Sequence, residues 1–226
     1  STGSTHSTNL GHLVFDPTGD RFANISIKGM IELCYFDRCT GTITSTPPIE
    51  PEATAFPYPW YNSCAFSPDG TKFAYTFGQG GTNPFHGVRL FNFDRCSGNF
   101  TGLEYVALND SATGFGLAFS PDSKYLYNAS FQRIYQFNTD TSDIAASKTT
   151  VAVNDGYYSP IPPFQTDFWW MYLAANGKIY ISSGSSVVDF HYINYPDSAG
   201  LGCDVHLHDL HLPCFNFRGN VYHPNY

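Results

Sequence analysis

Apolar and polar residues alternate with a period of two over several segments of this chain. Clear examples are "VRLFNFD" at residues 88–94 and "LEYVAL" at 103–108. A two-residue period puts every second side chain on one face of an extended strand, so these segments are predicted to be β-strands. No segment of useful length shows the 3.6-residue period of an amphipathic helix. The pattern therefore predicts an all-β protein.

Short turn sequences separate the predicted strands. "DPTG" lies within residues 13–26 and "SPDG" within 64–77, each between two apolar runs. Proline fixes φ, aspartate bonds nearby backbone and glycine adopts positive φ, so each predicts a tight turn between a first and a second strand. The heptapeptides "YFDRCTG" (35–41) and "NFDRCSG" (92–98) predict another turn, between a third and a fourth strand.

The whole unit recurs, as "LAFSPDSKYLYNAS" at 117–130 and, more divergently, as "YLAANGKIYISS" at 172–183. Successive copies are 51, 53 and 54 residues apart when aligned on Phe15, Phe66, Phe119 and Leu173. Four antiparallel strands in about 50 residues describe a propeller blade. We therefore predict an all-β β-propeller of about four four-stranded blades, at approximately residues 8–61, 62–114, 115–170 and 171–226. Four is a low blade number, so we expect a part of a larger propeller or one completed by a partner chain.

The "FSPDG" motif followed by an apolar strand resembles the WD-like repeats of TolB-type β-propellers. The ordered series "FDRCTG", "IYQFN", "NGKIYIS" and "INYPDSAGLGCDVHLHDLHLP" is similar to secreted propeller proteins of Bacteroidota. The resemblance covers nearly the whole chain. It implies export by type IX secretion. It also implies more blades upstream and a sorting domain downstream, and this sequence contains neither of those two parts.

Composition narrows the classes of partner. Only 13% of the residues are charged, and 11 Lys and Arg against 19 Asp and Glu give a net charge of −8. An acidic chain without a basic run is not expected to bind nucleic acid, whose phosphates need cationic partners. No apolar window is long enough to predict membrane insertion. Because the chain begins at Ser1 rather than Met, we expect a processed or excised piece of a longer product. The resemblance implies that this product is secreted or on the outer cell surface.

The six cysteines include no C-x-x-C pair, which argues against a zinc or thioredoxin-like site. An even number in a strand-rich chain favours an oxidising compartment, while the alternative is six reduced and buried thiols. We expect a disulfide between Cys203 and Cys214. The pairing of the other four stays open: Cys34, Cys39, Cys64 and Cys96.

The loops are predicted to sort onto two faces, because antiparallel strands alternate in direction. The "SPDG" and "FDRC" turns share one face, and the blade-to-blade crossings fall on the other. Aromatic and proline-rich segments concentrate on the crossing side. We predict a surface there that binds protein or glycan, formed by Trp60, Tyr61, His86, Trp169 and Trp170. The alternative is that these rings fill the seams between blades.

The segment "CDVHLHDLHLPC" (203–214) is the richest in metal-ligand residue types. His206 and His208 are two residues apart, so on a regular strand they would share a face and could ligate zinc or copper. A structural loop clasped by Cys203 and Cys214 explains the segment better, and no metal or other cofactor is predicted. No catalytic residue is predicted, since the sequence contains no known nucleophile motif or phosphate loop.

Two Asp-Ser-Ala tripeptides resemble the O-glycosylation acceptor of Bacteroidota, which makes Ser111 and Ser198 candidate glycosylation sites.

These observations predict a non-catalytic, secreted or cell-surface propeller module that acts in binding, adhesion or assembly. Its expected partners are other chains of a surface or secretion complex, or glycan. The alternative is a secreted carbohydrate-active enzyme, a glycosidase or lyase, with its site on the aromatic loop face. Two or more carboxylates beside Trp60 or Trp169 near the propeller axis would favour that alternative.

Overall fold

The repeated turns and strands fold into four separate four-stranded antiparallel sheets, arranged about a common axis as the blades of a β-propeller. This computed structural model describes residues 12–26, 30–49, 63–77, 87–108, 115–161 and 163–216. The predicted all-β propeller class is therefore confirmed. Within the described ranges, helical structure is a single 3₁₀ turn at Gly200–Cys203, and none is long and apolar enough to cross a membrane.

Each blade contains four sequential strands, paired in chain order. Blade 1 contains β1 (His12–Phe15), β2 (Arg21–Ile25), β3 (Ile31–Asp37) and β4 (Thr42–Ser45). Blade 2 contains β5 (Cys64–Phe66), β6 (Lys72–Phe77), β7 (Gly87–Asp94) and β8 (Asn99–Ala107). Blade 3 contains β9 (Gly116–Phe119), β10 (Tyr125–Ser130), β11 (Arg133–Asn138) and β12 (Thr149–Val153). Blade 4 contains β13 (Met171–Leu173), β14 (Ile179–Ile181), β15 (Val187–Ile193) and β16 (Val205–Asn216).

The predicted turns have the expected chemistry. In the "FDRC" turns, the Asp37 Oδ1 accepts the Cys39 N–H at 2.8 Å, and Asp94 accepts the Cys96 N–H in the same way. Gly41, which closes the first of these turns, has φ +69°, a left-handed conformation that glycine adopts without strain. The local sequence therefore sets the turn between the third and fourth strands of blades 1 and 2.

Three apolar clusters fill the seams between successive blades. The seam between blades 1 and 2 holds Leu33 against Phe66 and Phe73. Leu90 and Phe119 belong to the next seam. The third seam includes Tyr127, Ile134, Ile181 and Cys203. The innermost strands lie side by side, β1 with β5, β5 with β9 and β9 with β13.

Blade 4 reaches blade 1 through a ring stack near the axis. The indole of Trp170 lies parallel to the imidazole of His12, with centroids 5.6 Å apart. The His12 Nδ1 also accepts the backbone N–H of Cys64 at 3.2 Å, which links the stack to blade 2. These contacts place the start of the β13 segment next to the first strand of the chain.

Candidate functional site

The crossing from blade 3 to blade 4, residues 154–170, forms a small hairpin that stands out from the sheets. The hairpin spans residues 157–166, of which 162 lies outside the described part. Its two arms are joined by the Tyr158–Gln165 bridge, and the Ser159 N–H donates to the Phe164 carbonyl at 2.9 Å. Pro160 and Pro163 each fix their own backbone φ on the two sides of its tip. The described residues of the crossing are therefore paired as a hairpin and do not form an extended connection.

Asn154 fixes the base of the hairpin to the end of β12. Its side-chain Nδ2 donates to the Thr166 carbonyl at 2.6 Å. Its Oδ1 accepts the Gly156 N–H at 2.7 Å and the Gln165 Nε2 at 3.3 Å. One side chain thus bonds the residue that leads into the first arm and two residues of the second arm. These bonds limit the directions in which the hairpin can point.

Three large apolar side chains of the hairpin face solvent. Tyr158 is 60% exposed, Ile161 70% and Phe164 47%. We call these three residues the hairpin patch. Burying exposed apolar surface against a partner is favourable, so these exposed side chains on one hairpin are candidate contacts for a partner.

Beneath the patch, four residues join the hairpin to blade 4, and we call them the histidine clamp: Asp155, Tyr157, His191 and His208. The His208 Nε2 lies 2.9 Å from the Asp155 Oδ2, and its ring stacks on Tyr157 with centroids 3.9 Å apart. The backbone N–H of His208 donates to the His191 Nδ1 at 2.9 Å. The clamp therefore connects the crossing, β15 and β16.

A bulge in β16 makes the clamp possible. His208 has φ +42°, a left-handed conformation that is uncommon for a residue with a side chain, and the β15–β16 register shifts between Phe190 and Tyr192. The bulge turns the His208 ring toward the crossing. Such a local departure from regular pairing commonly re-aims a side chain near a functional site.

Two groups of the clamp, His191 and Asp155, have pKa values below their ordinary values. Burial, and secondarily the nearby His208, lowers the pKa of His191 to about 4. Partial burial raises the pKa of Asp155, but the hydrogen bonds from His208 and the Tyr157 N–H outweigh this, leaving that pKa below its ordinary value. At neutral pH the clamp thus contains a neutral His191 and an ionised Asp155.

The prediction that Trp169 belongs to an exposed aromatic binding surface is wrong. This ring is only 6% exposed and stacks on Phe115 at 3.8 Å, so it fills a seam as the alternative interpretation expected. Trp170 is half-buried against His12. The other predicted members lie outside the described residues: Trp60, Tyr61 and His86. The exposed apolar groups of this crossing are instead those of the hairpin patch.

The expectation that His206 and His208 share one face is also wrong, because the β16 bulge lies between them. His206 stacks on Tyr192 at 4.5 Å and contacts Asp204 and Asp209, away from the clamp. In the described ranges, no group of three or more His, Cys, Asp or Glu side chains is arranged to hold a metal ion.

The predicted Cys203–Cys214 disulfide is not formed. β16 runs along β15 from Val205, opposite Ile193, to Asn216, opposite Val187, which separates the two cysteines by roughly 20 Å. A disulfide needs Cα atoms within about 7 Å. Cys203 is buried and Cys214 exposed, and both are free, as are the other four cysteines.

Ser198 lies in the turn after β15, half-buried, and its carbonyl accepts the Gln136 Nε2 at 2.7 Å. Glycosylation there stays a prediction, and Ser111 lies outside the described residues.

Sequence reasoning did not single out Asp155 or His191. Asp155 belonged to a loop noted only for its aromatic rings, and His191 belonged to an apolar strand. The one available signal was that "VVDFHYI" and "VHLHDLH" would pair as neighbouring strands, which brings their histidines together.

No family model matches this chain, and no curated protein matches it. Solved structures do show the fold. The periplasmic gluconolactonase PpgL of Pseudomonas aeruginosa has a TM-score of 0.58 at 14% identity, over 83% of this chain and 54% of that one. KlAtg21, in complex with the coiled coil of AgAtg16, has a TM-score of 0.52 at 13% identity, over 83% and 53%.

The WD40 repeats of RRP9 also align, with a TM-score of 0.52 at 13% identity over 86% of this chain and 50% of that one. These likenesses establish a β-propeller with WD40-like repeats. The chain spans about half the length of each of the three proteins.

Proposed function

We propose that this protein is a non-catalytic binding propeller, and that its hairpin patch docks on a protein partner. The observation that carries the proposal is the exposure of Tyr158, Ile161 and Phe164 on one anchored hairpin. An ordered projection loses little conformational entropy on binding, and exposed aromatic and aliphatic groups serve as anchors for a partner's pocket.

The surroundings of Trp169 support binding over catalysis. The neighbouring carboxylate, Asp167, is buried and its Oδ1 accepts the Gly184 N–H, which favours a structural role for it. A contact between two carboxylates occurs at Asp122 and Asp197, in the turns on the opposite face. Neither arrangement resembles the paired carboxylates that flank a glycosidic bond.

The location and partner class extend the proposal. The resemblance to secreted Bacteroidota propellers supports a secreted or cell-surface protein, exported by type IX secretion and working in adhesion or assembly. The propeller of KlAtg21 is seen with a coiled-coil partner, and that precedent favours protein over glycan as the ligand.

The test compares two triple variants of the chain. The hairpin variant carries Tyr158→Ser, Ile161→Ser and Phe164→Ser. The control variant carries three substitutions of exposed groups of the same classes elsewhere, Tyr195→Ser, Ile43→Ser and Phe215→Ser. Each purified protein is immobilised and incubated at neutral pH with the extracellular and surface fraction of the source organism, and bound proteins are quantified by mass spectrometry.

We expect specific proteins to be retained by the wild type and the control variant but reduced at least tenfold on the hairpin variant. Equal retention by all three forms would reject the hairpin patch as the binding surface. A glycan array and a glycoside-hydrolysis panel run in parallel. Binding or turnover there that survives in the hairpin variant would support the carbohydrate-active alternative.

A further inference from the structure

The histidine clamp works only in one protonation state. The His191 Nδ1 accepts the His208 N–H at 2.9 Å, so this nitrogen must carry no proton. Protonation of His191 would turn the acceptor into a donor and leave the His208 N–H without its partner. It would also place a positive charge beside the His208 ring, which sits at a centroid distance of 6.4 Å.

The surroundings of His191 hold it in that state. Its ring is 1% exposed and meets Phe168 edge-on at 4.9 Å, so water cannot solvate a charged imidazole there. The nearest carboxylate on its own strand, Asp189, is engaged by the His211 Nδ1 at 2.9 Å. The titratable groups that act on His191 come from three elements: Asp155 from the crossing, Asp189 from β15 and His208 from β16. His208 lowers the pKa of His191, whereas Asp155 and Asp189 raise it, and burial outweighs them.

We infer that the histidine clamp is an acid-sensitive latch: at mildly acidic pH His191 takes up a proton, gives up the bond from the His208 N–H, and releases the hairpin. The latch is a property of the isolated chain. Its effect on a partner rests on the proposed function, because the released hairpin no longer presents the hairpin patch in one orientation.

The direction and size of the effect follow from linkage. Burial lowers the pKa of His191 to about 4 in the closed latch, whereas a histidine in water titrates near 6.5. The closed form is therefore favoured above pH 6.5 and loses that advantage as the pH falls. At pH 5 the ratio of closed to open forms drops about 20-fold relative to pH 7. The lowered pKa of Asp155 acts in the same direction at still lower pH.

Hydrogen–deuterium exchange of the purified wild type, at pH 7 and pH 5, tests the latch without any partner. After correction for the chemical exchange rate, we expect the amides of residues 157–166 and His208 to exchange at least tenfold faster at pH 5. Amides of the blade cores, such as those of Phe73 and Ile134, exchange through global unfolding and should stay far slower than the hairpin amides at both pH values. His191→Asn keeps an acceptor near the Nδ1 position but does not titrate, so its hairpin should exchange equally at both pH values.

His206→Asn is the matched control, because His206 is only half-buried and lies outside the clamp; it should keep the wild-type pH response. Equal hairpin exchange in the wild type at the two pH values would overturn the inference, as would a full pH response in His191→Asn. If that variant does not fold, ¹⁵N spectra of the His191 ring in the wild type replace it. Ring protonation without a change in hairpin exchange would then count against the latch.

The two proposals can fail separately. Loss of partner retention at pH 7 in the hairpin variant concerns the binding surface alone, and the exchange experiment concerns the latch alone.

Discussion

Ser123 shows how one residue links two blades at the expense of backbone strain. It occupies the turn position at which blades 1 and 2 have Gly19 and Gly70, and its φ of +64° is left-handed. Its Oγ accepts the N–H of Asp69 from the neighbouring blade at 3.0 Å. A left-handed residue with a Cβ costs about 1–2 kcal/mol, and the hydrogen bond returns about 1 kcal/mol.

Substituting this serine separates the two effects. Ser123→Ala keeps the strain and loses the bond, so we expect the free energy of unfolding to fall by about 1 kcal/mol. Ser123→Gly loses the bond but relieves the strain, so its stability should lie within about 0.5 kcal/mol of the wild type. Urea denaturation of both variants measures the difference. Equal destabilisation would mean that the backbone conformation is not strained.

At the scale of elements, the hairpin should be able to open locally while the blades stay folded. Asn154→Ala removes three hydrogen bonds at the hairpin base while leaving the strand pairing of β12 intact. We expect exchange of the amides of residues 157–166 to rise about tenfold and the melting temperature to change by only a few degrees, because no apolar core is lost. Asn176→Ala, in an exposed turn of blade 4, is the control and should leave hairpin exchange unchanged.

The elements differ in how far sequence could predict them. The strands and their turns follow from local rules: alternation sets the strands, and residues such as Asp37 and Gly41 set the turns. The bulge at His208 depends on how β16 pairs with β15, so no local pattern revealed it and the shared histidine face was wrongly predicted. The burial of Trp169 depends on Phe115, 54 residues away in sequence. Tertiary packing, and not residue type, decided which aromatic groups stayed exposed.

At the scale of the whole molecule, the inter-blade seams carry the stability. Phe73 is fully buried and lies 4.8 Å from Phe66 and 5.2 Å from Phe100, ring to ring. Phe73→Ala should lower the free energy of unfolding by about 3–5 kcal/mol, since it leaves a cavity in the seam between blades 1 and 2. Ile161→Ala, on the exposed hairpin patch, should change it by less than about 0.5 kcal/mol. Chemical denaturation with both variants tests whether the seams or the projections set global stability.

Blade 4 differs from blade 1 on the face turned away from blade 3. The row Tyr172, Tyr180 and Tyr192 crosses β13 to β15, where blade 1 has Val14, Ala23 and Leu33 packed into a seam. Small or aliphatic side chains let a neighbouring sheet approach, whereas tyrosines keep their hydroxyls toward water or polar partners. The repeat therefore conserves strand order in blade 4 but not the chemistry of this face.

The buried His191 also makes the whole fold sensitive to acid. Its pKa is about 4 in the native protein and near 6.5 when unfolded, so the unfolded chain binds the proton more readily. This contribution is fully present above pH 6.5 and is lost as the pH falls toward 4, amounting to about 2 kcal/mol at pH 5. His12, whose pKa burial also lowers to about 4, acts in the same direction. Urea denaturation at pH 7 and pH 5 should show the loss, and His191→Asn should lose about 2 kcal/mol less over the same interval. An identical pH dependence in the variant would show that His191 is already solvated in the native state, and the closed latch would then have no advantage at neutral pH.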